Sequence, residues 1–182
     1  MAEKLGANRR EEKDDSQITQ EAEAPCQESG VKEKEPDLTT ALDAFIKTFS
    51  YPADQGLLVR NLPQHSVHAR ADRGNTAAYF VFPDIKNLEA HISEIPPGGA
   101  TPTHRHTCEA FFYVIFGDGY SEVRASDNTE KRIDWQAGDL FCTPIHTWHR
   151  HVNRDRSRPA RYLEITTIPL MKSLGDWRIE AG

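Results

Sequence analysis

Five of the eight histidines in this chain fall within two short stretches. The first runs Gly98-Gly-Ala-Thr-Pro-Thr-His104-Arg-His106, the second from Gly138 through Pro144, His146, Trp148, His149 and His151 to Asn153. Each carries a His pair at i,i+2, and on a strand that spacing puts both imidazoles on the same face. Two such strands can bring three or four imidazoles to one point, a donor set suited to a divalent transition metal. Isolated strand histidines mostly pack or face solvent; two clusters, each preceded by Gly-x5, favour metal chemistry.

The elements that must position these residues read as short strands. Leu57-Leu-Val59 and Ala77-Ala-Tyr-Phe-Val-Phe82 come first, and Leu88 to Ile95 stops at Pro96-Pro97-Gly98-Gly99. Ala110-Phe-Phe-Tyr-Val-Ile-Phe116 is apolar at both parities, which predicts a central strand covered on both faces. It ends at Gly117-Asp118-Gly119, a tight-turn signal. Tyr120–Ala125, Lys131–Trp135, Asp139–Thr143, Trp148–Asn153 and Arg161–Thr167 complete the set, with a short helix or strand expected between Met171 and Gly182. Regular strands with Gly, Pro and Asn turns and few helices predict an all-β barrel or sandwich. No repeat of 20–50 residues points to a propeller or solenoid.

Residues 1–36 differ from the rest. They hold ten acidic residues against six Lys and Arg, four of the chain's six net negative charges, and hardly any large apolar groups. Such a tail cannot offset its ordering entropy by burial and is expected to be disordered. It contributes to a hydrophobic fraction of 37 % and a mean hydropathy of −0.66. From residue 37 onward a single domain is expected, opening on a helix whose face is Leu38, Leu42, Phe45, Ile46 and Phe49. Tyr51-Pro52 ends it. A net charge of −6 argues against nucleic acid as a partner, and no apolar run is long enough to span a bilayer. The N-terminus shows no apolar leader, and Cys26, Cys108 and Cys142 are odd in number and widely spaced. Both features predict free thiols in the cytoplasm.

The two histidine stretches resemble the motifs of the cupins, small double-stranded β-helices of jelly-roll type. The first motif reads G-x5-H-x-H-x3-E-x6-G, and Gly98, His104, His106 and Gly117 match it. The second reads G-x5-P-x-G-x2-H-x3-N, and Gly138, Pro144, His149 and Asn153 match it. The resemblance covers residues 98–153. Two positions depart. Ala110 stands where the family has its metal-binding Glu, and Glu109, one residue early, points to the opposite face unless a bulge re-aims it. His146 replaces the Gly of the second motif.

Lacking that Glu, the pattern is similar to gentisate 1,2-dioxygenase and its salicylate and hydroxynaphthoate relatives, where three His hold Fe(II). The resemblance implies His104, His106 and His149 as ligands of Fe(II), or of another divalent transition metal, with O2 and a small hydroxylated aromatic or chelating acid as substrates. Those enzymes are bicupins about twice this length, so part of their pocket has no counterpart here. His151 shares the parity of His149 and is the candidate proton donor or acceptor. Phe112 has the inward parity of position 110 and would give an apolar wall in place of the Glu. Cys108, Trp148 and the turn residue His146 are further candidates for the pocket, although Cys108 and Trp148 also suit core packing. Arg161, with Arg70 and Arg124 as alternatives, is the candidate cation for an anionic substrate. A redox-neutral metal-cupin lyase, isomerase, decarboxylase or hydrolase is the competing reading, and a non-catalytic binding cupin the third. Family habit implies a homodimer.

Overall fold

The computed structural model describes Lys47, residues 53–71 and residues 73–182. The charged tail, Cys26 and, apart from Lys47, the expected helix over 38–49 lie outside the described residues. Among the described residues twelve strands form two sheets, and no helix is long and apolar enough to cross a membrane.

The larger sheet contains β1 (Asp54–Gln55), β2 (His68–Arg70), β3 (Asn75–Val81), β4 (Glu89–Ile95), β6 (Ala110–Phe116), β9 (Leu140–Thr143) and β11 (Ala160–Thr166). Its order is β1-β3-β4-β11-β6-β9, with β2 also paired to β3. The smaller sheet runs β12-β5-β10-β7-β8 and contains β5 (His104–His106), β7 (Asp118–Arg124), β8 (Glu130–Gln136), β10 (Trp148–Asn153) and β12 (Ile179–Ala181). Every pairing is antiparallel except β1 with β3. A short helix α1 (Ile168–Ser173) follows β11, with Pro169 inside its first turn, where the missing N–H costs nothing.

The alternation of side chains explains the layering. On β10 the burial alternates residue by residue, and His149, His151 and Asn153 are the buried set. The inner faces meet in a core of Ile95, Ala110, Phe112 and Tyr162, extended by Val114, Trp135 and Ala160 and bridged by Phe141. Asn153 closes one end, its side-chain amide donating to the carbonyls of Ile95, Pro96 and Arg158.

Two expectations change. Leu57-Leu-Val59 is not a strand: Leu57 and Leu58 are exposed, and Val59 with Leu62 and Val67 packs on the outer cluster of Ala78, Phe80 and Ile92. Irregular backbone thus covers that part of the larger sheet. Strand β6 is not covered on both faces, because that cover reaches Ile115 and Leu163 and leaves Phe111 and Tyr113 exposed among the described residues. The expected tight turn at Gly117-Asp118-Gly119 is the corner where the chain leaves one sheet for the other. Gly117 has φ +91°, and a Cβ there would stand 2.7 Å from Ala160 Cα. Only glycine fits that corner.

Candidate metal centre

Strands β5 and β10 pair in register at His104 and His149, which brings the two histidine stretches together. The far edge of β5 is held by β12, with Ile179 opposite His106 and Ala181 opposite His104. His104, His106 and His149 converge, with one ligand atom from each lying within 4.8 Å of the others. Their ring centroids are 4.4 Å (His104–His149), 4.8 Å (His106–His149) and 5.7 Å (His104–His106) apart.

Each ring is oriented in the same way. His104 Nδ1 lies 2.8 Å from Pro102 O, His106 Nδ1 3.0 Å from Cys108 O, and His149 Nδ1 2.9 Å from Thr147 O. A carbonyl can only accept, so each Nδ1 carries the hydrogen, and the neutral ring keeps its Nε2 lone pair bare. His149 Nε2 is buried without a hydrogen-bond partner. An orphaned polar atom in a barrel interior is costly unless something binds it. Three bare imidazole lone pairs converging on one point, one of them orphaned, fit a divalent transition metal.

The electrostatics keep these rings neutral. Burial, then the neighbouring histidines led by His151, push His149 down to about 2. Burial and the nearby Arg73 guanidinium bring His104 to about 4, and burial lowers His106. A metal therefore meets no competing protons near pH 7.

His151 is buried beyond His149, its ring centred 5.6 Å away, among Phe112 at 4.7 Å, Tyr162 at 5.4 Å and Phe141 at 5.9 Å. Its Nδ1 meets Ser121 Oγ at 2.7 Å, and that oxygen also accepts from Trp135 Nε1 at 3.0 Å. Burial pushes His151 down to about 3. Phe112 stands on the inner face of β6 and stacks on Phe141 at 4.8 Å. Ala110 faces the interior, whereas Glu109 is exposed.

Four other candidates lie apart from this cluster or support it from behind. Arg161 points away: it is ion-paired with Glu94 at 2.7 Å and donates to the carbonyls of Leu62, Pro63 and His65. It has the wrong parity on β11 and ties the 62–65 segment to the sheet. Trp148 has the parity opposite to His149; the Arg105 guanidinium sits 4.8 Å over its ring. It lines a groove of about 530 Å³ with Arg124, Arg132 and Arg150, and His149 borders the same groove. Cys108 is buried with Sγ 3.3 Å from His106 Nδ1, so it backs a ligand, and burial pushes its thiol up. His146 is exposed on the turn at φ +62°, where the family motif has Gly, and its N–H donates to His106 O at 3.0 Å. Of the alternative cations, Arg70 lies 5.5 Å over the Tyr79 ring.

The sequence reading missed the opposite wall. One row crosses the larger sheet in register: Tyr79, His91, Glu164, Phe112, Phe141. His91 Nδ1 meets both Glu89 oxygens at 3.1 Å, and its Nε2 meets Glu164 Oε2 at 3.1 Å. Thr166 Oγ1 donates to Glu89 at 2.7 Å, and Tyr79 stacks on His91 at 4.5 Å. The available signal was polar residues at the inward parity of apolar strands, Glu89-x-His91 and Tyr162-x-Glu164-x-Thr166.

The cupin domain family model matches residues 91–166, which contain both motifs and all three converging histidines. Over that stretch the chain resembles a cupin domain. The chain is 33 % identical over 99 residues to a 5-aminosalicylate 1,2-dioxygenase of Comamonas sp, covering 54 % of this chain and 25 % of the relative. It is also 33 % identical over 85 residues to gentisate 1,2 dioxygenase 1 of Aquipseudomonas alcaligenes, covering 47 % and 23 %. Auxin-binding protein T85 of Nicotiana tabacum matches at 33 % over 99 residues, 53 % of this chain and 52 % of that one. The chain thus spans about a quarter of the dioxygenases and about half of the auxin-binding protein. Among solved structures, the oxalate decarboxylase of Lactobacillus farciminis has a TM-score of 0.53 at 25 % identity, covering 64 % of this chain and 33 % of that one. Salicylate 1,2-dioxygenase of Pseudoaminobacter salicylatoxidans gives a TM-score of 0.53 at 18 % identity, covering 63 % and 30 %, a likeness of fold alone.

Proposed function

We propose that this protein is a non-haem Fe(II) dioxygenase acting on a small hydroxylated aromatic or chelating acid. The observation that carries the reading is the set of three neutral imidazoles, His104, His106 and His149, with Nε2 lone pairs bare and Ala110 in place of a fourth, anionic ligand. Iron held there would supply a Lewis acid with open positions for a chelating substrate and O2 side by side. Relatives named for 5-aminosalicylate and gentisate support that substrate class.

The protein's own groups have definite tasks in this reading. The backbone carbonyls of Pro102, Cys108 and Thr147 fix the tautomer and aim of the three rings, as outer partners of metal-binding histidines commonly do. Phe112, Phe141 and Tyr162 exclude water from the space beyond His149 and offer faces to an aromatic ring. His151, neutral near pH 7 and oriented by Ser121, exchanges a proton with the substrate through Nε2.

The same apparatus serves a redox-neutral reaction equally well in its proton chemistry, and the likeness to oxalate decarboxylase favours that second reading. Oxygen uptake separates the two. Anaerobically Fe(II)-loaded protein, mixed with gentisate, 5-aminosalicylate and related hydroxybenzoates in aerated buffer, is expected to consume one O2 per substrate lost. Substrate loss without oxygen uptake would replace the dioxygenase with the redox-neutral enzyme.

A further inference from the structure

Three neutral ligands leave a divalent ion with its full charge inside a barrel. Burying such a charge uncompensated is expensive, so a negative group is expected nearby. The position from which a cupin supplies it, 110, is Ala in this chain and faces the interior. On the adjacent strand β11, Thr166 stands opposite Ala110 and Glu164 opposite Phe112, so Glu164 is the diagonal cross-strand neighbour of position 110, a spacing that long side chains can bridge. Glu164 is not among the converging ligand groups.

Glu164 is held ionised by its surroundings. Burial opposes its charge, but His91, 3.1 Å away, outweighs burial and keeps the carboxyl below its usual range. His91 in turn resists burial because Glu89 and Glu164 bracket its two nitrogens. Two carboxylates around one imidazolium leave the cluster with one net negative charge. The side chain of Glu164 keeps 16 % of its surface accessible, against 3 % for Glu89.

We propose that Glu164, carried by the Glu89–His91 pair, is the counter-charge of the metal centre, acting from outside the coordination shell in place of the absent motif Glu. This rests on the metal reading of the three histidines and not on the dioxygenase reaction. Glu164 is a positioning residue for charge, and Glu89 and His91 keep it anionic.

Co(II) is the probe, titrated into metal-free protein while its visible absorption is followed. Wild type is expected to bind one Co(II) per chain and His149→Ala none, which checks the metal site by itself; a wild type that binds no Co(II) overturns site and counter-charge together. Glu164→Gln is expected to weaken Co(II) binding about 10- to 100-fold, the usual scale for outer partners. Its Co(II) spectrum should stay that of wild type, and Glu164→Asp should recover most of the affinity because it restores the charge. Glu89→Gln removes the same charge farther from the ion and should give a smaller loss, which serves if Glu164→Gln fails to fold. Unchanged affinity in folded Glu164→Gln, or in Glu89→Gln where it stands in, would overturn the proposal. A changed spectrum would do so too, by making Glu164 a direct ligand. Equal losses in Gln and Asp would show a packing role instead.

Discussion

Ser121 Oγ lies 2.7 Å from His151 Nδ1, and the two residues face each other in register on β7 and β10. The same oxygen accepts the indole N–H of Trp135, so the hydroxyl hydrogen is free to go to His151. His151 then accepts at Nδ1 and presents Nε2–H to the interior.

Ser121→Ala strands a buried indole N–H and a buried imidazole nitrogen at once. Each unsatisfied group costs about 1–3 kcal/mol, so the pair should move thermal unfolding down by roughly 4–24 °C at this chain length. Metal content should stay that of wild type, because His151 is outside the ligand set, while kcat falls with the lost orientation. Unchanged stability would mean that water or a rearranged ring takes the place of the hydroxyl.

His146 holds a left-handed backbone, φ +62°, on the turn that donates to His106 O. A non-glycine residue there is strained by about 1–2 kcal/mol, partly offset by the entropy a glycine adds to the unfolded chain. His146→Gly should therefore leave stability equal or higher by up to about 1 kcal/mol, with metal affinity unchanged. A raised KM in that variant would establish the exposed ring as part of the substrate entrance.

The Glu89–His91–Glu164 cluster gives stability a defined pH dependence. Burial works against the charge on His91, yet Glu89 on its own strand and Glu164 on β11 raise its pKa to about 10, with Tyr79 of β3 stacked on the ring. Unfolded, the imidazole titrates near ~6.5. Between those values the folded state holds a proton that the unfolded state has released, so stability falls as pH rises. The contribution is complete below ~6.5 and is lost toward about 10. Thermal unfolding should drop across pH 7–10 in wild type and do so less steeply in His91→Gln. Equal slopes would contradict the bracketed imidazolium.

Local patterns were the legible part of this molecule. The i,i+2 spacing put His104 with His106, and His149 with His151, each on one face of a strand, and the strand over 110–116 was readable to the residue. Parity also put Ala110 inside and left Glu109 exposed. Properties set by distant partners were not legible. Arg161 looked like a free cation until the 62–65 carbonyls closed on it. Trp148 has the right neighbours in sequence but the wrong side of the sheet. Glu164 drew no notice because its meaning depends on His91, 73 positions earlier, which only the β4–β11 register brings alongside. Outer cover was equally hidden, since Val59 contributes to it from irregular backbone.

The central claim is that His104, His106 and His149 together hold one divalent transition metal. Elemental analysis after Fe(II) loading and removal of loosely bound ions tests it directly. The account predicts one iron per chain in wild type and in Glu109→Ala, and none in His149→Ala. Iron retained by folded His149→Ala, or lost from folded Glu109→Ala, would contradict the three-histidine centre.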